Sequence, residues 1–329
     1  MKTSFYFIIF LMAFIDAQSQ SIYKRDFSKM GSKFDITVVA NSQNEADEFI
    51  DLAIDEIDRI ENLISSWKST SQTSEINKNA GIKFIKVDAE LFSLIQRSIA
   101  ISRLTDGAFD ISYAAVDRIW NFDKKNHTWP DQQTLENSVR NVGFENIKIN
   151  EETSQIFLSQ KEMKIGFGAI GKGYAADKVK ALLQGKGVTG GIINASGDMS
   201  AWGTQPGGKA WKVAITNPLD QTKNYGLFEL RDKAVVTSGN YEKFIKIDDE
   251  VYSHIIDPRT GKPTKGTLSV SVFAPKAELA DALATSISVM GADAGVYLIN
   301  QLPDVECIII TQGGNVINSK GIKINTYEN

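Results

Sequence analysis

The order of apolar and polar residues already divides the chain into elements. Residues 33–40 alternate with period two, as a strand with one buried face does. Ser42 and Glu45 form a capping box, and behind it Ala46, Phe49, Ala53, Ile57, Ile60 and Ile64 recur along one face of a long helix. That helix ends at Ser65-Ser66-Trp67 and leads into residues 68–81, which read as a polar loop. Asp88 caps a second helix through Leu104, stopped by Thr105-Asp106-Gly107. A third starts near Ile170 and ends at Gly185, and a fourth covers 278–290 and closes at Gly291. Strand-like runs fall at 192–194, 211–216, 234–237, 244–247 and 268–273, and 305–317 reads as a terminal hairpin turning at Gly313-Gly314. Residues 123–146 look like a surface excursion with a short helix capped by Asp131, and His127 reads there as a solvated side chain. Runs of strands with helices interposed irregularly predict an α+β fold. With no fixed-period repeat and no Pro/Ser linker, one catalytic module over 20–329 is the simplest organisation.

Composition narrows the chemistry. A hydrophobic content of 42% supports a sizeable core. The net charge is −4, and no basic run is interleaved with aromatics, which argues against nucleic acid as a partner. One cysteine, Cys307, cannot form an internal disulfide, and with only 2 histidines the chain cannot build an ordinary zinc cage. Any metal is expected to be hard and oxygen-liganded. Residues 1–19 have the form of a secretory signal: Lys2, an apolar run over 5–15, and Ala17-Gln18-Ser19 before Gln20. An uncleaved anchor is the competing reading. No cysteine lies there for lipid attachment, so the expected address is the periplasm, at the outer face of the inner membrane.

Candidate chemistry sits at turns. His254 precedes Asp257-Pro258-Arg259-Thr260-Gly261, so it stands where a strand feeds a stiff loop. Imidazole suits proton transfer near neutral pH; a histidine that merely closes a turn is the bland reading. Gly166-Phe167-Gly168-Ala169-Ile170-Gly171-Lys172-Gly173-Tyr174 opens the third helix, where free N–H groups favour anions, although close packing explains glycines there nearly as well. Its glycine spacing fits neither the dinucleotide fingerprint nor a P-loop. Asp281 and Thr285 are i and i+4, placing a carboxylate and a hydroxyl on one helical face, an arrangement that suits Mg²⁺ shared with substrate phosphates. A solvated Asp beside a buried Thr is the alternative. The segments 194–198 and 236–240 put small residues and hydroxyls at strand exits.

With Gly107-Ala108-Phe109-Asp110 and Ile119-Trp120-Asn121-Phe122, these segments together resemble the FAD:protein FMN transferase (ApbE) family. The matching stretches also include Met30-Gly31-Ser32, Ser66-Trp67, Ser74-Glu75-Ile76-Asn77 and Thr237-Ser238-Gly239, and all stand in family order. The resemblance implies an enzyme that binds FAD and Mg²⁺ and moves the FMN half of FAD onto a Thr or Ser hydroxyl of another protein, releasing AMP. It places FAD in a cleft between sub-lobes, along Met30, Trp67, Ala108, Phe109, Asp110, Gly166, Lys172 and Ile256. It assigns Mg²⁺ to the Ala169 carbonyl, Asp281 and Thr285. It implies exported acceptors with an Asp-x-x-Ser/Thr-x-Thr motif: Rnf-type or sodium-pumping NADH:quinone reductase subunits, or related FMN-binding domains. His254 is the candidate general base for the acceptor hydroxyl. The same groups acting on water would make a Mg²⁺-dependent FAD pyrophosphatase, and without chemistry, a periplasmic flavin-binding protein. Two positions depart from the family pattern: Gly166 stands where Asp is usual, and Ser196 replaces the first glycine of Asn-x-Gly-Gly-Asp.

Overall fold

The computed structural model describes residues 20–116, 119–124, 126–220, 222–239 and 244–322; the expected signal at 1–19 and Asn240 lie outside these. Its frame is an eight-stranded antiparallel sheet. In spatial order the strands are β1 (Ser21–Lys29), β2 (Ser32–Ala40), β7 (Gly190–Ala195), β8 (Asp198–Gly203), β11 (Ala234–Gly239), β14 (Thr267–Ala274), β15 (Glu306–Thr311) and β16 (Val316–Asn318). Helices α1 (Gln43–Ile64), α5 (Gly171–Gly185) and α6 (Ala277–Met290) pack on one face over a core containing Phe34, Ile36, Ile193, Trp202, Val270 and Leu283. The hairpin of β9 (Trp211–Thr216) and β10 (Asn224–Leu230) contributes to a separate core with Val235, Phe273 and Ile308.

A second lobe joins the inner ends of α1 and α5 to α3 (Ala89–Leu104) and a small sheet of β3 (Ile85–Lys86), β6 (Gln155–Leu158) and β5 (Ile147–Asn150). A third, smaller body gathers Trp120, Leu135, Ile245, Tyr252 and Ile256 around β4 (Asn126–His127), β12 (Phe244–Ile247) and β13 (Glu250–Ser253). Leu135 comes from the short helix α4 (Gln132–Ser138), whose Asp131 cap accepts from Thr134 N as expected.

Half of the capping box of α1 forms: Ser42 Oγ accepts from Glu45 N at 3.2 Å, while Glu45 reaches past the N-cap and accepts from Asn41 N. Three expectations need correction. Residues 68–81 are not all loop, because α2 (Gln72–Lys78) forms there, burying only Thr73 and Ile76. Asp88 stands at the N-cap of α3 but gives no side-chain cap; its carboxylate accepts from Gln72 instead. His127 is not simply solvated: its Nε2 lies 2.8 Å from the Asn121 carbonyl and its ring 6.0 Å from Trp120. A further helix, α7 (Ala292–Ile299), follows Gly291 directly.

Candidate active site

The matching segments are far apart in sequence and adjacent in space. Met30 occupies the β1–β2 turn with φ +51° followed by Gly31 at +68°, a primed turn that normally takes Asn-Gly. Its side chain packs on both large cores, and its Cε lies 3.8 Å from where a Gly171 Cβ would be. Asn77, presented by α2, holds the segment before the glycine-rich turn with two bonds, Nδ2 to Ile165 O at 2.9 Å and Oδ1 from Ile165 N at 2.8 Å. Gly166 N in turn donates to Ile111 O at 2.8 Å. A Cβ on Gly166 would meet the Ala114 methyl at 3.1 Å and Ser66 Oγ at 3.3 Å, so any side chain there requires these neighbours to give by a few tenths of an ångström. Trp67, next to Ser66, is 79% exposed.

The 105–110 turn meets the His254 loop through Arg259, which donates to Asp106 O at 3.3 Å and forms a bidentate pair with Asp257. Ala108 and Phe109 are buried, and the Asp110 carboxylate accepts from Ser112 N, Ser112 Oγ and Phe144 N. Burial raises the Asp110 pKa against these bonds. Trp120 Nε1 donates to Gly261 O at 2.7 Å. Ile256 is buried in the small body and bridges to Pro263. His254 is half-buried, with the Phe122 ring against it.

The charged centre lies where α5 meets α6. Gly173 lets the helices touch, since a Cβ there would fall 2.2 Å from the Ala277 carbonyl oxygen. Gly173 is the third residue of α5, a helix-start position whose N–H has no partner within the helix, and it donates to Asp281 Oδ2 at 3.3 Å. Asp281 is only 4% exposed. Lys172 Nζ pairs with Asp198, the first residue of β8 and the last of the 194–198 segment. Burial, and the negative Asp281 beside it, push Asp198 well above the usual carboxylate range. Burial opposes the Lys172 charge, but the two carboxylates outweigh it and raise its pKa. Asp198 also stands opposite Val236 of β11, and Thr237 Oγ1 bonds Ser271 Oγ at 2.8 Å, so the end of β11 borders the same place.

This donor set fits a hard divalent cation. Two buried carboxylates in contact carry one lysine between them, and Ala169 stands two residues ahead of the first residue of α5. Thr285 lies half-buried one helical turn beyond Asp281. Among the described residues no group of three or more His, Cys, Asp or Glu forms a self-sufficient cage. Mg²⁺ typically takes one or two carboxylates and completes its shell with water and substrate phosphates.

Fold and contacts define an α+β protein with a buried, oxygen-rich acidic pair at a helix junction, ringed by glycine turns. The chain belongs to the ApbE family, whose model matches residues 30–309. It is 31% identical over 277 residues to the FAD:protein FMN transferase of Treponema pallidum (strain Nichols), covering 80% of this chain and 76% of that one. It is 28% identical to an FAD:protein FMN transferase of Klebsiella pneumoniae (strain 342), covering 91% and 92%. Among solved structures, the ApbE protein of Thermotoga maritima superposes with a TM-score of 0.82 at 27% identity, covering 91% of this chain and 97% of that chain. The flavin transferase ApbE of Vibrio cholerae gives 0.79 at 25%, covering 92% and 98%.

Proposed function

We propose that this chain is an exported FAD:protein FMN transferase: it takes FAD, transfers FMN to a Thr or Ser hydroxyl of a separate protein, and releases AMP. The observation that carries the reading is the buried Lys172–Asp198–Asp281 cluster at the start of α5. Asp281, Thr285 and the Ala169 carbonyl would hold Mg²⁺, which when bound supplies positive charge against the FAD pyrophosphate. Lys172 adds a fixed cation beside the same anion, and Trp67 offers an exposed ring for a flat ligand to cover. The acceptor oxygen attacks the phosphorus on the riboflavin side. A bond from that oxygen to phosphorus forms, the bond from phosphorus to the AMP oxygen breaks, and AMP leaves with the electron pair. His254 takes the acceptor proton, a role typically worth ~10²–10⁴ in rate. The acceptors in this reading are exported flavoproteins with an Asp-x-x-Ser/Thr-x-Thr segment, of the Rnf or sodium-pumping quinone reductase type.

Incubation with FAD, Mg²⁺ and a purified FMN-binding acceptor domain tests the whole. Flavin that migrates with the acceptor on a denaturing gel is the expected result. Free FMN would make the protein a pyrophosphatase, and unchanged FAD a binding protein. His254→Gln is expected to bind FAD near the wild-type affinity while transfer drops by roughly two orders of magnitude. Transfer at nearly the native rate would remove His254 from the mechanism.

A further inference from the structure

One short segment grips both arms of the hairpin that carries His254. The hairpin runs from Ser253, whose N–H donates to Thr264 O at 2.8 Å, through Asp257 N to Lys262 O at 2.8 Å. Trp120 holds its far end through the 2.7 Å bond to the Gly261 carbonyl. Two residues later, the Phe122 ring stands perpendicular to the His254 imidazole, at 89° with ring centroids 6.5 Å apart. Phe122 itself is partly buried against the Trp120, Tyr252 and Ile256 cluster, so it is backed by packed side chains.

We propose that Phe122 is a positioning residue for His254, fixing the plane of the imidazole so that one ring nitrogen faces the acceptor hydroxyl. This rests on His254 being the base, as argued above. The two side-chain torsions of a half-buried histidine set where its ring nitrogens face, and an edge-to-face contact with an aromatic ring restricts them. Proton transfer needs the nitrogen within about 3 Å of the hydroxyl oxygen, and a misplacement of about 1 Å costs up to ~10² in rate. Phe122 touches no reacting atom in this account; it acts only through the ring of His254.

The test compares Phe122→Leu, Phe122→Tyr, His254→Gln and Phe122→Leu/His254→Gln in the full chain, with FAD, Mg²⁺ and an FMN-binding domain of an Rnf-type subunit as acceptor. Single-turnover transfer, FAD affinity by flavin fluorescence, and thermal midpoint are measured for each. Phe122→Leu should transfer roughly 10- to 100-fold more slowly, with FAD affinity and thermal midpoint near wild type. Phe122→Tyr, which keeps the ring, should stay within about three-fold of wild type. The double variant should be no slower than His254→Gln alone, because the contact has nothing left to orient. Near-native transfer by Phe122→Leu alongside a slow His254→Gln overturns the positioning role and leaves the base intact. A double variant slower by the product of both single effects also overturns it, because Phe122 would then act independently. Near-native transfer by His254→Gln sinks the underlying assignment of the base and the positioning role with it. Should Phe122→Leu fold poorly, Phe122→Met offers a similar volume without the ring and carries the same expectations.

Discussion

Ser196 holds φ at +54°, a conformation that costs an L-residue about 1–2 kcal/mol and explains why glycine is usual at this turn. Its hydroxyl donates to the Lys33 carbonyl at 2.9 Å, a bond glycine lacks, worth about 1 kcal/mol. The two effects nearly cancel, so Ser196→Gly is expected to change unfolding free energy by less than about 1 kcal/mol in a urea titration. A larger shift in either direction would mean that one of them has been misjudged. Asp281 is different, since nothing else on α6 can replace its carboxylate between Gly173 N–H and Asp198. Asp281→Ala should keep the fold and abolish transfer, and raising Mg²⁺ should not restore it. Full activity without added metal would contradict the metal assignment.

Between elements, Glu90 of α3 ties the helical layer together. It pairs with Arg59 of α1 and Lys178 of α5 and accepts from Tyr174 of α5 at 2.6 Å. Burial alone would raise its pKa, but the bonds from Arg59, Tyr174 and Lys178 outweigh this and bring it to about 2, below the ordinary glutamate value of 4.5. A depressed carboxyl contributes stability above its unfolded pKa and loses it as pH falls through the folded one. Glu90→Gln should therefore lower the thermal midpoint at pH 7 and lose less than wild type between pH 4.5 and 2. Parallel acid curves for both proteins would show that the cluster carries no such linkage. Much of this layer was legible in the sequence, because α1, α5 and α6 carry long apolar stripes and α1 a local cap. Helix α2 was not, since it buries only Thr73 and Ile76, and α7 starts from Gly291 with no capping side chain. The N-terminus of α6 is capped from a distance, by Asp177 of α5 accepting from Ala277 N and Glu278 N at 3.0 Å, which no local pattern announces. Asp198 and Asn77 stood in matching stretches without a role for the same reason: a strand-end carboxylate and a helical amide become site residues only once Lys172 and Ile165 are brought beside them.

For the whole molecule, the eight-stranded sheet explains how motifs spread over the chain meet: β2 pairs with β7, and β8 with β11, across long stretches of sequence. Its outermost strand, β1, begins at Ser21 and is paired with β2 through all of Ser21–Lys29, where Arg25 reaches Asp47 and Asp51 of α1. Under the export reading, cleavage after Ser19 leaves Gln20 as the first residue and spares every one of those pairs. A cut a few residues later would strip Ser21 and Ile22 from the register and loosen the Met30 turn at the other end of the hairpin. The protein recovered from a periplasmic fraction is therefore expected to begin at Gln20, read by N-terminal sequencing or intact mass. A chain expressed from Gln20 onward should bind FAD as tightly as the full-length protein. Recovery only with the membrane fraction at full-length mass would favour the uncleaved anchor. A start beyond Ile22 with flavin binding intact would show that the first pairs of β1 are dispensable.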